Sequence, residues 1–283
     1  MGDLGIDTTI TGGQGRYAAT MSRHWEIWGP QGGYVASFAL RAAGAHCGLP
    51  RPASIVGHFL GVASFDEPID IACTTLRSAK TAQSVHVSIT QQDRPIFDAL
   101  VWGTVTGLQG LEHQYATMPH FPSWSELPTI QERLESVGEK WEPWFPFWEN
   151  FEQRPPEWRT DWNERAPGSQ PPEWSQWLRY APTSSFDDPW LDACRLLIIV
   201  DVGSWPSVQA HHNVADIIAP SIDLACEFHR IDPKAEWLFA LGTSPSSDGG
   251  LIATHQSVFA DDGRLLASGV SQLLCRPTRG QRG

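Results

Sequence analysis

The chain states one plan twice. An apolar, small-residued helix followed by strands ending in a charged turn runs from Gly29-Pro30-Gln31-Gly32-Gly33 to Val101, and again from Leu191 to Arg276. The turns correspond, Gln92-Asp93-Arg94-Pro95-Ile96-Phe97 against Asp261-Asp262-Gly263-Arg264-Leu265-Leu266. A unit used twice in one chain is expected to pack against itself about a pseudo-two-fold axis, and the shared seam is the expected place for a ligand cleft.

Periodicity supplies the parts. From Tyr34, the residues Val35, Phe38, Ala39, Ala42 and Ala43 recur at three-to-four spacing, which predicts a helix. Its many small residues let it lie close to a sheet, and Gly48-Leu49-Pro50 stops it. Strands are predicted at 54–62, 69–77, 84–91 and 95–106, with Asp93-Arg94-Pro95 making the last two a hairpin. Residues 1–22 read as an arm or edge strand, and His24-Trp25-Glu26-Ile27-Trp28 alternates like a short strand. In the second copy, Asp192 to Val200 reads as a buried helix ending near Asp201-Val202-Gly203. Strands follow at 221–229, 236–243, 251–259 and 265–276.

Between the copies the composition changes. Nine of the 14 tryptophans fall in residues 112–190, among them Trp141, Trp144, Trp148, Trp158, Trp162, Trp174 and Trp177. Pro143, Pro146, Pro155-Pro156 and Pro171-Pro172 forbid a long unbroken helix there, and so many aromatic side chains argue against disorder. A folded connector wrapping the outside of the double unit is expected; an aromatic lid over the cleft, or an oligomer contact, is the alternative. The expected divisions are 1–111, a connector at 112–190, a second unit at 191–276 and a disordered tail at 277–283.

Charge and cysteine content narrow the function. Net charge is −12, and Lys and Arg cluster only in the tail from Arg276 to Arg282, so no nucleic-acid partner is expected. No apolar run approaches the roughly 18 residues of a membrane span. The N-terminus lacks the basic start and apolar block of a signal peptide. Five scattered cysteines without CxxC spacing read as reduced core residues of a cytoplasmic protein. His211-His212-Asn213-Val214-Ala215-Asp216 lacks HxH or HExxH spacing, so no metal is expected. There is no GxSxG elbow and no Rossmann or P-loop glycine pattern, and no cofactor is implied.

A specific likeness emerges when the motifs are taken in order. Gly32-Gly33 opens a helix; His58-Phe59-Leu60 lies in a strand; Leu76-Arg77-Ser78-Ala79-Lys80-Thr81-Ala82 and Ile96-Phe97 follow. The second copy offers Pro220-Ser221-Ile222-Asp223, Phe228-His229-Arg230, Glu236-Trp237-Leu238 and Asp262-Gly263-Arg264-Leu265-Leu266-Ala267-Ser268. This order resembles the type II, TesB-like acyl-CoA thioesterases, across both units but not the connector. The resemblance implies an α+β double hotdog: two fused helix-plus-antiparallel-sheet units sharing a continuous sheet around two central helices.

It also implies a chemistry. In that family a carboxylate, a hydroxyl and a carboxamide hold a water against the thioester carbon, with no covalent intermediate. By position Asp201 matches the aspartate and Ser221 the family's threonine. Aligned without gaps, the glutamine position falls on Ser271, with Gln272 one residue late; a bulge would be needed to re-aim Gln272, the expected carboxamide, and otherwise Ser271 takes part. Asp201 would act as general base. Gly32 and Gly33 would allow a backbone N–H at the helix start to meet the oxyanion, and His58 either polarises the carbonyl or is a core histidine. Arg77, Lys80 and Arg94 are candidates for the CoA phosphates, or for surface ion pairs. The expected substrate is acyl-CoA, and the expected assembly a homo-oligomer, since hotdog units expose sheet edges for pairing. The rival readings are a non-catalytic acyl-binding protein and a hotdog enoyl-CoA hydratase or dehydratase, which would need a histidine near Asp201.

Overall fold

The computed structural model describes residues 1–158, 168–212, 214 and 216–278. Trp162, Asn213, Ala215 and the tail after Thr278 lie outside the described residues. The first unit comprises α1 (Leu4–Asp7), β1 (Thr11–Gly13), β2 (Arg16–Ala19), α2 (Gly32–Cys47), β3 (Arg51–Phe59), β4 (Ile69–Ser78), β5 (Ala82–Gln91) and β6 (Arg94–Thr104). The connector holds α3 (Ile130–Ser136), β7 (Phe151–Arg154) and β8 (Glu173–Tyr180). The second unit comprises α4 (Pro189–Val202), α5 (Ser204–Gln209), β9 (Ile217–Ile218), β10 (Asp223–Phe228), β11 (Trp237–Asp248), β12 (Leu251–Ala260), β13 (Leu265–Leu274) and β14 (Arg276–Pro277).

Twelve strands form one antiparallel sheet in the order β1-β2-β4-β5-β6-β3-β10-β13-β12-β11-β8-β7. The two units meet where β3 pairs with β10, with Val56 opposite Ala225. From that seam one rung runs outward through Leu100, His86 and Thr74 on β6, β5 and β4. The same rung runs the other way through Val270, His255 and Thr243 on β13, β12 and β11. Histidine matches histidine and threonine matches threonine, so the duplication seen in the sequence is a two-fold relation about the β3–β10 seam. This is the expected double hotdog.

Helices α2 and α4 cross on one face of the sheet. In α2 the Gln31 side chain accepts from Tyr34 N–H to start the helix, and Gly48 in the left-handed region ends it. Small residues bring the two axes close: a Cβ on Gly33 would fall 2.7 Å from Ile198 Cα and 3.0 Å from Leu197 O. Nearly every residue of α4 is buried, including the ion pair Arg195–Asp192 at 2.6 Å. The Arg195 guanidinium also donates to the Ser184 and Ala235 carbonyls, which makes its burial tolerable.

The connector does wrap the outer face of the second unit. Trp124 stacks on Trp237 at 4.9 Å between centroids, and Phe121 and Leu127 close over Phe239 and Trp177. It is not only a wrapper, because β8 pairs with β11 and extends the main sheet, with β7 at the edge. The proline spacing that forbids a helix leaves room for these strands. His24–Trp28 also differs from expectation. Residues Arg23–Trp25 form a 3-10 turn, and Trp25 is fully buried, stacked on Tyr34 at 5.3 Å; packing of that indole overrides the alternation. The β5–β6 hairpin has positive φ at both Gln92 and Asp93, the two-residue geometry that matches strand twist. Thr278 N–H donates to Asp216 O, so the described start of the tail is bonded.

Candidate active site

The carboxylate of Asp201 lies between the ends of two helices from different units. It belongs to the last turn of α4, and its Oδ2 accepts from Gly33 N–H at 2.8 Å in the first turn of α2. The same oxygen accepts from Gln31 Nε2 at 2.5 Å, and Oδ1 accepts from the Ser221 hydroxyl at 3.1 Å. The C-terminus of α4 is unfavourable for an anion and the N-terminus of α2 is favourable, so the group caps the other unit's helix rather than its own. Asp201 is 7% exposed. Burial raises its pKa from 3.8 to about 6, against the opposing hydrogen bonds from Gly33 and Ser221.

Gln31 is the residue that sequence reasoning missed. Its amide oxygen caps α2 at 2.7 Å while its amide nitrogen holds Asp201. A carboxamide does meet the carboxylate, but from the first unit instead of the last strand. It stood within the Gly29-Pro30-Gln31-Gly32-Gly33 motif, and the signal available was its place immediately before a helix.

Gln272 is not brought to Asp201. The β12–β13 register is unbroken from Leu251 opposite Leu274 to Val258 opposite Ala267, so no bulge re-aims the side chain. On β13, Ala267, Ser271 and Leu273 face the helices, which leaves Gln272 on the outer face with Ser268 and Val270. Ser271 is buried opposite Thr254, whose hydroxyl donates to Ser204 Oγ at 2.9 Å. Neither Ser271 Oγ nor the Nε2 of neighbouring Gln256 makes a hydrogen bond among the described residues.

His58 is likewise on the outer face, paired across strands with Asp98 and Asp223. Its neighbour Phe59 is the inward residue, with the ring 3.0 Å from where a Gly32 Cβ would stand. A carbonyl-polarising role for His58 at Asp201 is therefore not supported. That same Cβ would fall 2.8 Å from Asp201 Oδ2, so close approach of the carboxylate requires glycine at position 32. Gly33 N–H is already engaged by Asp201, whereas Gly32 N–H makes no hydrogen bond among the described residues.

The three basic candidates part company. Arg94 opens β6 at the end where Phe59 pairs with Phe97 beside the site. Arg77 and Lys80 lie at the opposite end of β4 and β5, about 30 Å away along ten-residue strands. They cannot serve one phosphate cluster with Arg94. Among the described residues no group of His, Cys, Asp or Glu side chains is arranged to hold a metal. His211 Nδ1 is 2.6 Å from the Gln170 carbonyl oxygen.

Two tryptophans join the segment before α2 to α5. Trp28, three residues before Gln31 and 43% exposed, meets Trp205 edge-on at 5.5 Å. Cavities of about 420 and 250 Å³ lie beside the connector, the first lined by Arg154 and Trp237, the second by Phe121 and Trp174. Asp201 lines neither; Trp174 of the second has its ring 3.1 Å from where a Gly203 Cβ would stand, two residues after Asp201.

Solved structures share this architecture. The acyl-CoA thioesterase II TesB2 from Mycobacterium marinum is 23% identical over 98% of this chain and 100% of its own, with a TM-score of 0.77. The tesB protein of Mycobacterium avium subspecies paratuberculosis is 21% identical over 97% and 98%, with a TM-score of 0.74. A hot dog fold protein from Alicyclobacillus acidocaldarius is 17% identical over 96% and 97%, with a TM-score of 0.78. No curated protein matches the chain. Two family models match: an acyl-CoA thioesterase N-terminal domain over residues 21–104, and an acyl-CoA thioesterase C-terminal domain over residues 114–275, which takes in nearly all of the connector. A carboxylate shared between two duplicated units thus sits in a chain that both halves of one family describe, and the protein belongs to the acyl-CoA thioesterases, a family of thioester hydrolases.

Proposed function

We propose that this chain hydrolyses acyl-CoA to a free carboxylic acid and CoA by direct attack of a water held at Asp201. The observation that carries this is the buried carboxylate at the inter-unit join, raised to about 6 and contacted by one hydroxyl and one carboxamide. At neutral pH it is ionised, yet basic enough to take a proton as the water oxygen bonds to the acyl carbon. Ser221 and Gln31 fix the carboxylate, and Ser221 Oγ has lone pairs left to orient the water. In place of the expected Gln272, Gln31 supplies the carboxamide. Gly32 N–H, the free donor in the first turn of α2, is assigned to the oxyanion, since Gly33 N–H is engaged by Asp201. The C–S bond then breaks, and the proton held by Asp201 leaves on the CoA thiolate.

Arg94 is the basic residue at the site end and is assigned to the CoA phosphates. The chain is assigned to the cytoplasm, where its five free cysteines, four of them buried, stay reduced, and, by the family likeness, to fatty acyl-CoA metabolism as a homo-oligomer. Among the described residues no helix is long and apolar enough to cross a membrane. Against a hydratase or dehydratase, the Asp201 carboxylate accepts from Gln31, the Gly33 N–H and Ser221, and among the described residues no histidine bonds to it. Thiol release from acyl-CoAs of graded chain length, with free acid as the sole acyl product, tests the proposal. No thiol release at any chain length would leave a binding protein; water added across an enoyl-CoA would leave a hydratase.

A further inference from the structure

The carboxylate of Asp201 is hemmed in by the groups that hold it. Gln31 and the Gly33 N–H come from the start of α2, Ser221 lies just before β10, and a Cβ on Gly32 would fall 2.8 Å from Oδ2. Further along its own helix face stands Trp205. Gly203 keeps helical dihedrals, φ −64° and ψ −15°, so α5 carries on from α4, and position 205 is one turn beyond position 201. A helical side chain leans back over the turn before its own Cα, which lays the Trp205 indole over Asp201. Its other neighbours agree with that placement. The ring packs on the cluster of Val208, Ala219, Ile252 and Leu273. Leu273 bridges to Ser221, the residue bonded to Asp201.

Trp28 meets that indole edge-on from the other unit, at 5.5 Å between centroids. Its turn is anchored at both ends and clear of the core at its tip. Gln31 N–H donates to Trp25 O at 3.0 Å, and both residues are buried. Between them Ile27 N–H donates to Gly29 O, and a Cβ on Gly29 would meet Val62 Cγ1 alone, at 3.7 Å. Trp28 itself is half-exposed. One indole is thus fixed in a core cluster, the other rides on an open turn, and together they roof the join that holds the carboxylate.

We infer that Trp28 and Trp205 form the slot through which the acyl group reaches Asp201, and that they restrict it to acyl groups unbranched at the carbon beside the thioester. The slot rests on hydrolysis at Asp201 as proposed above. A thioester carbon brought to a water at that carboxylate carries its first acyl carbons between the two indoles. The Trp28 turn gives way to a methylene chain, since its tip stands clear of the core, and the rings supply apolar contact as the chain leaves water. A methyl branch at the first carbon is wider than the chain and presses on Trp205 as well. Close-packed neighbours hold that ring in place, so the branch meets a wall that cannot retreat.

Trp28→Ala and Trp28→Leu remove the ring from a half-exposed turn, Trp28→Phe keeps one, and thermal melts check that each variant is folded. For the wild type, kcat/KM on the straight-chain acyl-CoA it hydrolyses fastest should exceed that on the α-methyl counterpart by about tenfold or more. Trp28→Ala and Trp28→Leu should erase most of that ratio, and Trp28→Phe should keep most of it. A second readout needs no turnover. A water-soluble carbodiimide with an amine, followed by peptide mass spectrometry, should label Asp201 faster in Trp28→Ala and Trp28→Leu than in the wild type, with buried Asp192 unchanged as the control. Thiol release with a ratio that does not move when the ring is lost overturns the slot alone. So does labelling of Asp201 that stays at the wild-type rate, or that rises together with Asp192. A wild type that releases no thiol from any acyl-CoA overturns hydrolysis itself, and the slot with it.

Discussion

Asp201→Asn separates the structural job of this carboxylate, holding the units together, from the proposed one, taking a proton. The substitution is nearly isosteric, and the surroundings accept it. With its oxygen in place of Oδ2, asparagine still accepts from Gly33 N–H and Gln31 Nε2. Its amide nitrogen then donates to Ser221 Oγ, which can reverse the sense of the present bond. Every hydrogen bond survives while the negative charge and its basicity go.

The expected energies follow from burial. The folded value stands at about 6 against 3.8 for an unperturbed carboxyl, and about 2 units at 1.36 kcal/mol each is about 3 kcal/mol. Because the folded value is raised, this contribution to stability is complete below the unfolded value and is lost as pH rises through 6. Wild-type stability from urea melts should therefore fall by about 3 kcal/mol between about pH 4 and pH 7 from this group, and the fall should be absent in Asp201→Asn. At pH 7 the variant should be at least as stable as the wild type. Thiol release should drop about 10²- to 10⁴-fold, the usual worth of a general base. In the wild type, kcat/KM should rise with pH through a midpoint near 6. A folded Asp201→Asn that keeps more than about a tenth of wild-type kcat/KM refutes the assignment.

Other expectations are narrower. Ser221→Ala removes a hydrogen bond that holds the Asp201 pKa down, so the midpoint of the pH–rate profile should move upward and return with Ser221→Thr; an unmoved midpoint disconnects Ser221 from the carboxylate. Gln31→Leu removes both the α2 cap and a donor to Asp201, and should cost about 1 kcal/mol of stability with at least a tenfold loss of thiol release, whereas Gln272→Leu should leave activity near wild type. The reverse ranking would restore Gln272 to the site. Gly33→Ala drives a methyl to 2.7 Å from Ile198 Cα, where backbone cannot yield cheaply, so a loss of about 1–3 kcal/mol is expected in thermal or chemical melts.

Much of the fold was legible because period and punctuation agree along this chain. The strand beginning Val85, Val87, Ile89 alternates as read, and all three face the core. The small-residue run after Gly33 is the helix that the sheet encloses. What the sequence left open was geometric. The sequence already put Gln272 one residue out of step with Ser271, and only the β12–β13 register shows that no bulge re-aims it; His58 is likewise one residue from the inward Phe59. Arg77 and Lys80 part from Arg94 by a related route: residues close in a hairpin sequence lie at opposite ends of its strands. Gln31 was hidden because its contact with Asp201 spans 170 positions and exists only once both helices are packed.

Duplication would by itself give two equivalent joins, each where one helix starts and the other finishes. At the start of α2 the join holds glycine and a carboxylate. At the start of α4 the same kind of space is taken by Trp190, whose ring would lie 2.6 Å from a Cβ on Gly44 near the end of α2. Its indole N–H donates to the Leu49 carbonyl at 2.9 Å, so the large side chain is both apolar filler and hydrogen-bonded plug. Gly103 and Cys47 complete the wall, a Cβ on Gly103 falling 3.2 Å from the same ring. The two joins have therefore divided the work. One is filled with a tryptophan and carries packing energy, and the other accepts the cost of a buried carboxylate, offset in part by its hydrogen bonds to Gln31, Gly33 and Ser221, which is where the proposed hydrolysis is assigned.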